Sequence, residues 1–267
     1  MTERISVRGV ELAYDHTGAG DDVVWGHGLT SSMASEDALE LFDWPSMSAH
    51  VRLLRYDARG HGESDAAGAD PANSSWESLA RDQLALTEQL GIDRYIAGGA
   101  SMGCATALHA AVLAPDRITG LLLVIPPTAW ASRAAQIGAY AVMADLIEAG
   151  DHDTLLQGAA SSAPPDPFVD DARWKARFPE VLANTAPDRL AGVFRGAATA
   201  DLPDPDAIAA IDVPTLILAW TGDPGHPVQT AARLQELMPH AELRLATTPA
   251  GMATWTDRAI GFLTSSH

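Results

Sequence analysis

Gly99-Ala100-Ser101-Met102-Gly103 is the stretch that most narrows what this chain can become. Tyr95 to Ala97 begins a predicted strand that runs into Gly98, Gly99 and Ala100, and Met102 to Leu113 reads as a small-residue helix stopped by Pro115. A G-x-S-x-G sequence between a strand and a helix is the context of a sharp turn that exposes its serine at the sheet edge. Such a turn holds the serine in a strained backbone conformation, so the residues two positions away must be small. A helix opening at Met102 aims its positive end and free N–H groups at the oxygen of an acyl intermediate beside Ser101. The pentapeptide alone can arise by chance in a glycine- and alanine-rich chain; its strand-helix setting argues against that.

The rest of the chain supplies the matching rhythm. Strands alternate with helices, which points to a mostly parallel sheet. An opening hairpin is expected at Ile5 to Val10 and Glu11 to His16, with buried strands at Val23 to Trp25, Val51 to Tyr56 and Ile118 to Ile125. Trp76, Leu79, Leu84, Leu86 and Leu90 fall at helical spacing and end at Gly91, a good C-terminal stop. From about Pro126 to Ile211 no strand is expected; helical pieces at Ala131 to Ala149 and Asp171 to Leu182 are separated by proline-rich segments. The strand rhythm returns at Pro214 to Trp220, followed by helix Val228 to Leu237, strand Glu242 to Ala246 and helix Thr254 to Leu263. The expected organisation is an α/β core of residues 1–126 and 212–267 with a helical insert at 127–211.

Composition narrows the partners. A chain of 267 residues suits one α/β domain with an inserted subdomain. A net charge of −18 argues against nucleic acid, whose phosphates would repel it, and against an anionic membrane surface. One cysteine, Cys104, excludes an intrachain disulfide, and the first residues show no apolar stretch of a secretory signal. The longest apolar run, Leu121 to Pro127, is too short to span a bilayer, so a cytoplasmic protein is expected. The histidines are too scattered for a metal centre, and Gly98-Gly99 precedes a serine rather than the lysine of a phosphate loop. The expected partner is a small-molecule substrate, with no cofactor and no metal; the oligomeric state stays open, a homodimer included.

Two further loops resemble one family. Trp25-Gly26-His27-Gly28-Leu29 follows a strand, and Asp57 to Ser64 reads D-x-R-G-x-G-x-S after the next one. In this order, with the Ser101 elbow, they resemble the α/β-hydrolase superfamily over nearly the whole chain, the insert standing where that family carries its cap. The resemblance implies an α/β-hydrolase fold with Ser101 as nucleophile. It also implies an oxyanion hole of the Leu29 and Met102 N–H groups. His27 would orient its loop, and Asp57 and Arg59 would satisfy buried backbone groups while Gly60 and Gly62 allow a tight turn; His61 carries no expected catalytic role.

The family order then requires an acid and a histidine. Asp223, four residues before Pro227 and just after a predicted strand, fits the acid, although Gly222 and Pro224 also suit a plain turn. The histidine belongs before the last helix, but Thr247 to Trp255 holds none, and Met252 occupies its slot. Methionine carries no proton, and a general base contributes about 10²–10⁴-fold to such chemistry. Three readings stay open. Another histidine substitutes, with His226 the first candidate and His27 and His152 behind it. The site instead runs lyase, isomerase or cyclase chemistry. Or the protein is an inactive ligand-binding relative. On the first reading the chain is a serine hydrolase for a small to medium apolar ester, lactone or related carbonyl compound. Its pocket would be walled by His27, Trp130, Tyr140 and Met143, with Ile137, Phe168, Trp174, Phe194, Trp44 and Met33 as further candidates.

Overall fold

Eight strands pair into a single sheet in the computed structural model, which describes residues 2–66 and 70–265. The strands are β1 (Glu3–Val7), β2 (Val10–Gly18), β3 (Asp22–Gly26), β4 (Arg52–Tyr56), β5 (Tyr95–Ala100), β6 (Ile118–Val124), β7 (Thr215–Trp220) and β8 (Ala241–Ala246). They lie in the order β1-β2-β4-β3-β5-β6-β7-β8. β1, β2 and β4 pair antiparallel, and every later neighbour is parallel. Every residue of β5 and β7 is buried, as expected of parallel strands covered on both faces. The opening hairpin starts earlier than its sequence suggests, because Arg8 and Gly9 turn the chain at positive φ (46° and 84°) and leave Val10 to open β2.

Among the described residues the twelve α-helices are α1 (Met33–Leu39), α2 (Trp44–Ser48), α3 (Trp76–Gln89), α4 (Met102–Leu113), α5 (Arg133–Ala149), α6 (His152–Ser161), α7 (Ala172–Asn184), α8 (Pro187–Ala197), α9 (Pro205–Ala209), α10 (Val228–Leu237), α11 (Pro249–Met252) and α12 (Trp255–Leu263). Six of these, α1, α2, α6, α8, α9 and α11, are not among the helices expected from the sequence, although α8 buries Leu190, Val193, Phe194 and Ala197 at helical spacing. Most begin on a local device instead: Ser32, Asp43, Asp151, Asp204 and Thr248 each accept a hydrogen bond from the first turn they precede. Among the described residues none of the helices is long and apolar enough to cross a membrane.

Side chains on the two faces of the sheet form two cores. One gathers α3, α4 and α10 together with α5 and α8, so the helices between β6 and β7 share a continuous apolar cluster with the sheet. The other is rich in aromatic rings: Trp25, Phe42 and Trp220 meet Trp44 of α2 and Trp255 of α12. Helix α4 lies against the sheet backbone at the two elbow glycines. A Cβ on Gly99 would sit 2.3 Å from the Gly103 carbonyl carbon, and one on Gly103 would sit 1.9 Å from the Gly26 oxygen. No side chain fits either position, so the glycines flanking Ser101 are demanded by packing as well as by the turn.

Candidate active site

The carboxyl ends of the parallel strands are where ligands bind in open α/β sheets. Ser101 sits there, between β5 and α4, with φ 52° and ψ −105°. That is a sparsely populated region for a residue with a side chain. The Ser101 N–H donates to the Val124 carbonyl (2.9 Å) and its carbonyl accepts from Ala105 (3.1 Å), which locks the strained turn into both neighbours. Among the described residues the Leu29 and Met102 N–H groups have no protein acceptor. Gly28 comes so close to Ser101 that an added Cβ would touch the serine Cβ at 3.7 Å.

The loop after β7 carries both remaining polar groups. Pro224 takes the second position of a turn in which the His226 N–H donates to the Asp223 carbonyl (3.2 Å). Bringing the two backbones together lets the side chains meet. His226 Nδ1–H donates to Asp223 Oδ2 at 2.7 Å, and Nε2 lies 2.7 Å from Ser101 Oγ. With its Nδ1 proton held by Asp223, the imidazole turns a lone pair to the serine hydroxyl. Asp223 is held in turn by Trp220 Nε1–H on Oδ2 (2.9 Å) and Gly225 N–H on Oδ1 (2.9 Å). Burial raises the Asp223 pKa, but the adjacent His226, Trp220 and Gly225 outweigh it and bring the carboxyl down to about 2. The turn is tied to the helical segment: Thr128 N–H donates to the Gly225 carbonyl (3.1 Å), and Asp166 N–H to that of Thr221 (2.9 Å).

The other candidate histidines are occupied elsewhere. His27 Nδ1–H donates to the Gly28 carbonyl (2.8 Å) and Nε2 accepts from Ala58 N–H (3.0 Å), so it braces the loop with no nitrogen left for Ser101. His61 donates from Nδ1 to the Arg59 carbonyl (3.0 Å), and burial lowers its pKa to about 3. His152 is exposed at the start of α6, and His267 lies outside the described residues. Asp57 accepts from Met33 and Glu63 N–H (both 2.8 Å), and Gly62 leaves the room its carboxylate needs. Arg59 departs from its expected role: it forks onto the buried Asp82 side chain instead of backbone groups. Met252 is half-buried against the aromatic core and borders a separate cavity with Asp43, Trp44 and Arg55.

A cavity of about 230 Å³ opens over Ser101 and His226. Of the expected wall residues, Tyr140, Met143, Trp174 and Phe194 line it, with Leu29 and Ser101 at its floor. His27 and Trp130 do not. His27 is buried behind the loop, and Trp130 is drawn away by Asp201, which accepts its backbone N–H, and by the Pro203 carbonyl, which accepts its indole N–H (3.0 Å). Phe168, Trp44 and Met33 are core residues, and Ile137 is absent from the wall. Sequence reading missed Glu36, Gln136, Arg177 and Trp220, all of which face the cavity. A signal existed for Arg177, since Trp174, Arg177, Phe178 and Val181 share one helical face. Glu36 is buried, accepts from Trp25 Nε1–H (2.8 Å), and is pushed up to about 8 chiefly by that burial. Among the described residues no cluster of three or more histidine, cysteine, aspartate or glutamate side chains is arranged to hold a metal ion.

Known proteins share this architecture. A family model described as alpha/beta hydrolase fold matches residues 23–251. The chain is 28% identical over 227 residues, 81% of each protein, to one from Stutzerimonas stutzeri named "Putative carbamate hydrolase RutD". It is 27% identical over 183 residues, 67% of this chain and 64% of the other, to 3-oxoadipate enol-lactonase 1 of Acinetobacter baylyi. Among solved structures, a hydrolase from Pseudomonas aeruginosa matches with a TM-score of 0.81 at 25% identity, covering 99% of this chain and 98% of its own. The enol-lactonase from Burkholderia xenovorans matches with a TM-score of 0.79 at 24% identity, over 98% of this chain and all of its own, a likeness of fold.

Proposed function

This chain belongs to the alpha/beta hydrolase fold family, and from that premise we propose that it is a serine hydrolase for a small ester, lactone or related carbonyl compound. Ser101 is the nucleophile, His226 the base, Asp223 the group that orients it, and the Leu29 and Met102 N–H groups the oxyanion hole. The observation that carries the reading is the unbroken chain of hydrogen bonds from Asp223 through His226 to Ser101, 2.7 Å at each step. The hydrolase names of the relatives support the same class.

The chemistry runs in two halves. Ser101 Oγ bonds to the substrate carbonyl carbon as its proton passes to His226 Nε2, and the carbonyl oxygen becomes an anion held by two amide protons. The C–O bond to the leaving group breaks, and His226 returns the proton to the departing oxygen. Water then attacks the acyl-serine, gives its proton to His226, and Ser101 recovers that proton when the acid is released. Asp223 stays ionised throughout and stabilises the imidazolium. The segment 127–211 acts as a cap, supplying Tyr140, Met143, Trp174 and Phe194 as an apolar roof. The base thus comes from the same turn after β7 that presents the acid, and Met252 takes no part.

Labelling by a fluorophosphonate probe tests this. Wild type is expected to label, Ser101→Ala not at all, and His226→Ala to label and to hydrolyse p-nitrophenyl butyrate at least about 10²-fold more slowly. Equal rates for wild type and His226→Ala would remove His226 from the mechanism. Absence of labelling in wild type would favour a ligand-binding protein without acyl chemistry.

A further inference from the structure

Arg177 is the only arginine or lysine among the described residues lining the cavity over Ser101. Elsewhere many of this acidic chain's arginines pair with carboxylates: Arg8 and Arg59 with Asp82, Arg55 with Asp15 and Asp37, Arg195 with Asp145 and Glu148. Buried Arg133 has no carboxylate but spends its donors on the Ala197 and Ala200 carbonyls (2.7 and 2.8 Å). Arg177 has neither arrangement. Its contacts to the Leu29 carbonyl (3.5 Å) and the Thr30 hydroxyl (3.4 Å) are at the outer limit of hydrogen bonding. Among the described residues no carboxylate lies within 4.0 Å of it.

Its acidic neighbours do not supply the missing partner. Asp223 already accepts from His226, Trp220 and Gly225. Glu36 accepts from Trp25, and burial keeps it protonated up to about pH 8. The guanidinium packs over the Trp174 ring at 5.2 Å, which sets its plane while its edge stays available. A planar fork of donors at this wall suits one ligand group above others, a carboxylate bound through two parallel hydrogen bonds.

We infer that Arg177 anchors a carboxylate of the substrate, so that the ester or lactone taken by this pocket is a monoanion. The inference rests on the reading of Ser101 as nucleophile and adds the substrate class. Arg177 touches the carbonyl of Leu29, the residue whose N–H is assigned to the oxyanion hole. The carboxylate therefore sits a short chain away from the reacting carbonyl, as in the monoester of a short dicarboxylic acid. The net charge of −18 repels anions at long range, which makes a local cation the feature that admits one.

The test compares monomethyl glutarate with dimethyl glutarate on wild type, Arg177→Met and Arg177→Lys, each checked for folding by circular dichroism. Wild type is expected to prefer the monoanion at least about tenfold in kcat/KM, the scale of a charged hydrogen-bonded pair. In Arg177→Met that preference falls to near unity through a rise in KM for the monoanion, and Arg177→Lys recovers part of it. Equal use of both esters by wild type, or a preference unchanged in Arg177→Met, overturns the proposal. Glutarate binding, read by quenching of tryptophan fluorescence, decides it independently of turnover. Saturable binding to wild type that weakens at least about tenfold in Arg177→Met sustains the site even where neither ester is hydrolysed and the nucleophile reading falls. Binding that is absent from wild type, or equal in both, overturns it.

Discussion

A buried carboxyl group tells more about a site than an exposed one, because only an environment built for it keeps it there. Asp223 and Glu36 are opposite cases near the same cavity. Asp223 is surrounded by donors and stays ionised down to about pH 2; Glu36 has one donor, and burial lifts it to about 8. For Glu36 the folded protein keeps a proton that the unfolded chain has lost once the pH passes its ordinary value near 4.5. Stability linked to this group is therefore full below that value and falls as pH rises toward 8, at no more than about 1.4 kcal/mol per pH unit. Glu36→Gln removes that slope. Its urea midpoint relative to wild type is expected to be higher at pH 8 than at pH 5, and a gap independent of pH would refute the assignment. Little of this was legible in the chain. Glu36 reads as an ordinary polar residue until the fold places Trp25 against it.

At the scale of single elements, the proposed mechanism gives the turn after β7 what two loops share in the family pattern. Asp223, Pro224, Gly225 and His226 form a tight turn whose first and last side chains meet across only three residues of separation. The loop after β8 takes another course: Thr248 caps α11 at once, and Met252 packs toward Trp44 and away from Ser101. Adding Met252→His to His226→Ala is therefore expected to leave esterase activity at the level of His226→Ala alone. Recovery of even a tenth of the wild-type rate would show that the β8 loop reaches Ser101 in solution. The elbow itself was readable from its pattern, because Gly99, Ser101 and Gly103 answer a local steric demand. The partner of Ser101 was not: His226, His27 and His152 all stood open in the sequence, and only their surroundings separate them.

Taken as a whole, the molecule holds its helical segment by sharing a core with it. Ala144, Ile147, Leu190 and Phe194 belong to the same apolar cluster as β5, β6 and α4. Arg133 fastens the joint: it donates to the Ala197 and Ala200 carbonyls and lies 4.1 Å over the Trp76 ring. Arg133→Met leaves the Ala200 carbonyl without its donor and the Ala197 carbonyl with the Ala200 N–H alone (3.3 Å), and a loss of about 1–3 kcal/mol is expected from denaturant unfolding. Hydrogen exchange should rise first in α5 and α8 while β5 and β6 stay protected. Uniform loosening of the sheet and helices together would instead show that the two unfold as one unit.

Local sterics and periodicity were enough to read the α/β rhythm and the serine elbow from the amino-acid order, and the resemblance to the α/β-hydrolase superfamily pointed to the two glycine-bearing loops and to Asp223. Each of those depends on residues within a few positions of one another. Tertiary structure alone decided that His226 rather than His27 or His152 meets Ser101, that Trp130 turns away from the cavity, and that Arg177 and Glu36 turn into it. Those outcomes depend on distances between segments separated by tens to more than a hundred residues, and only closure of the whole sheet and packing of the helices upon it set such distances.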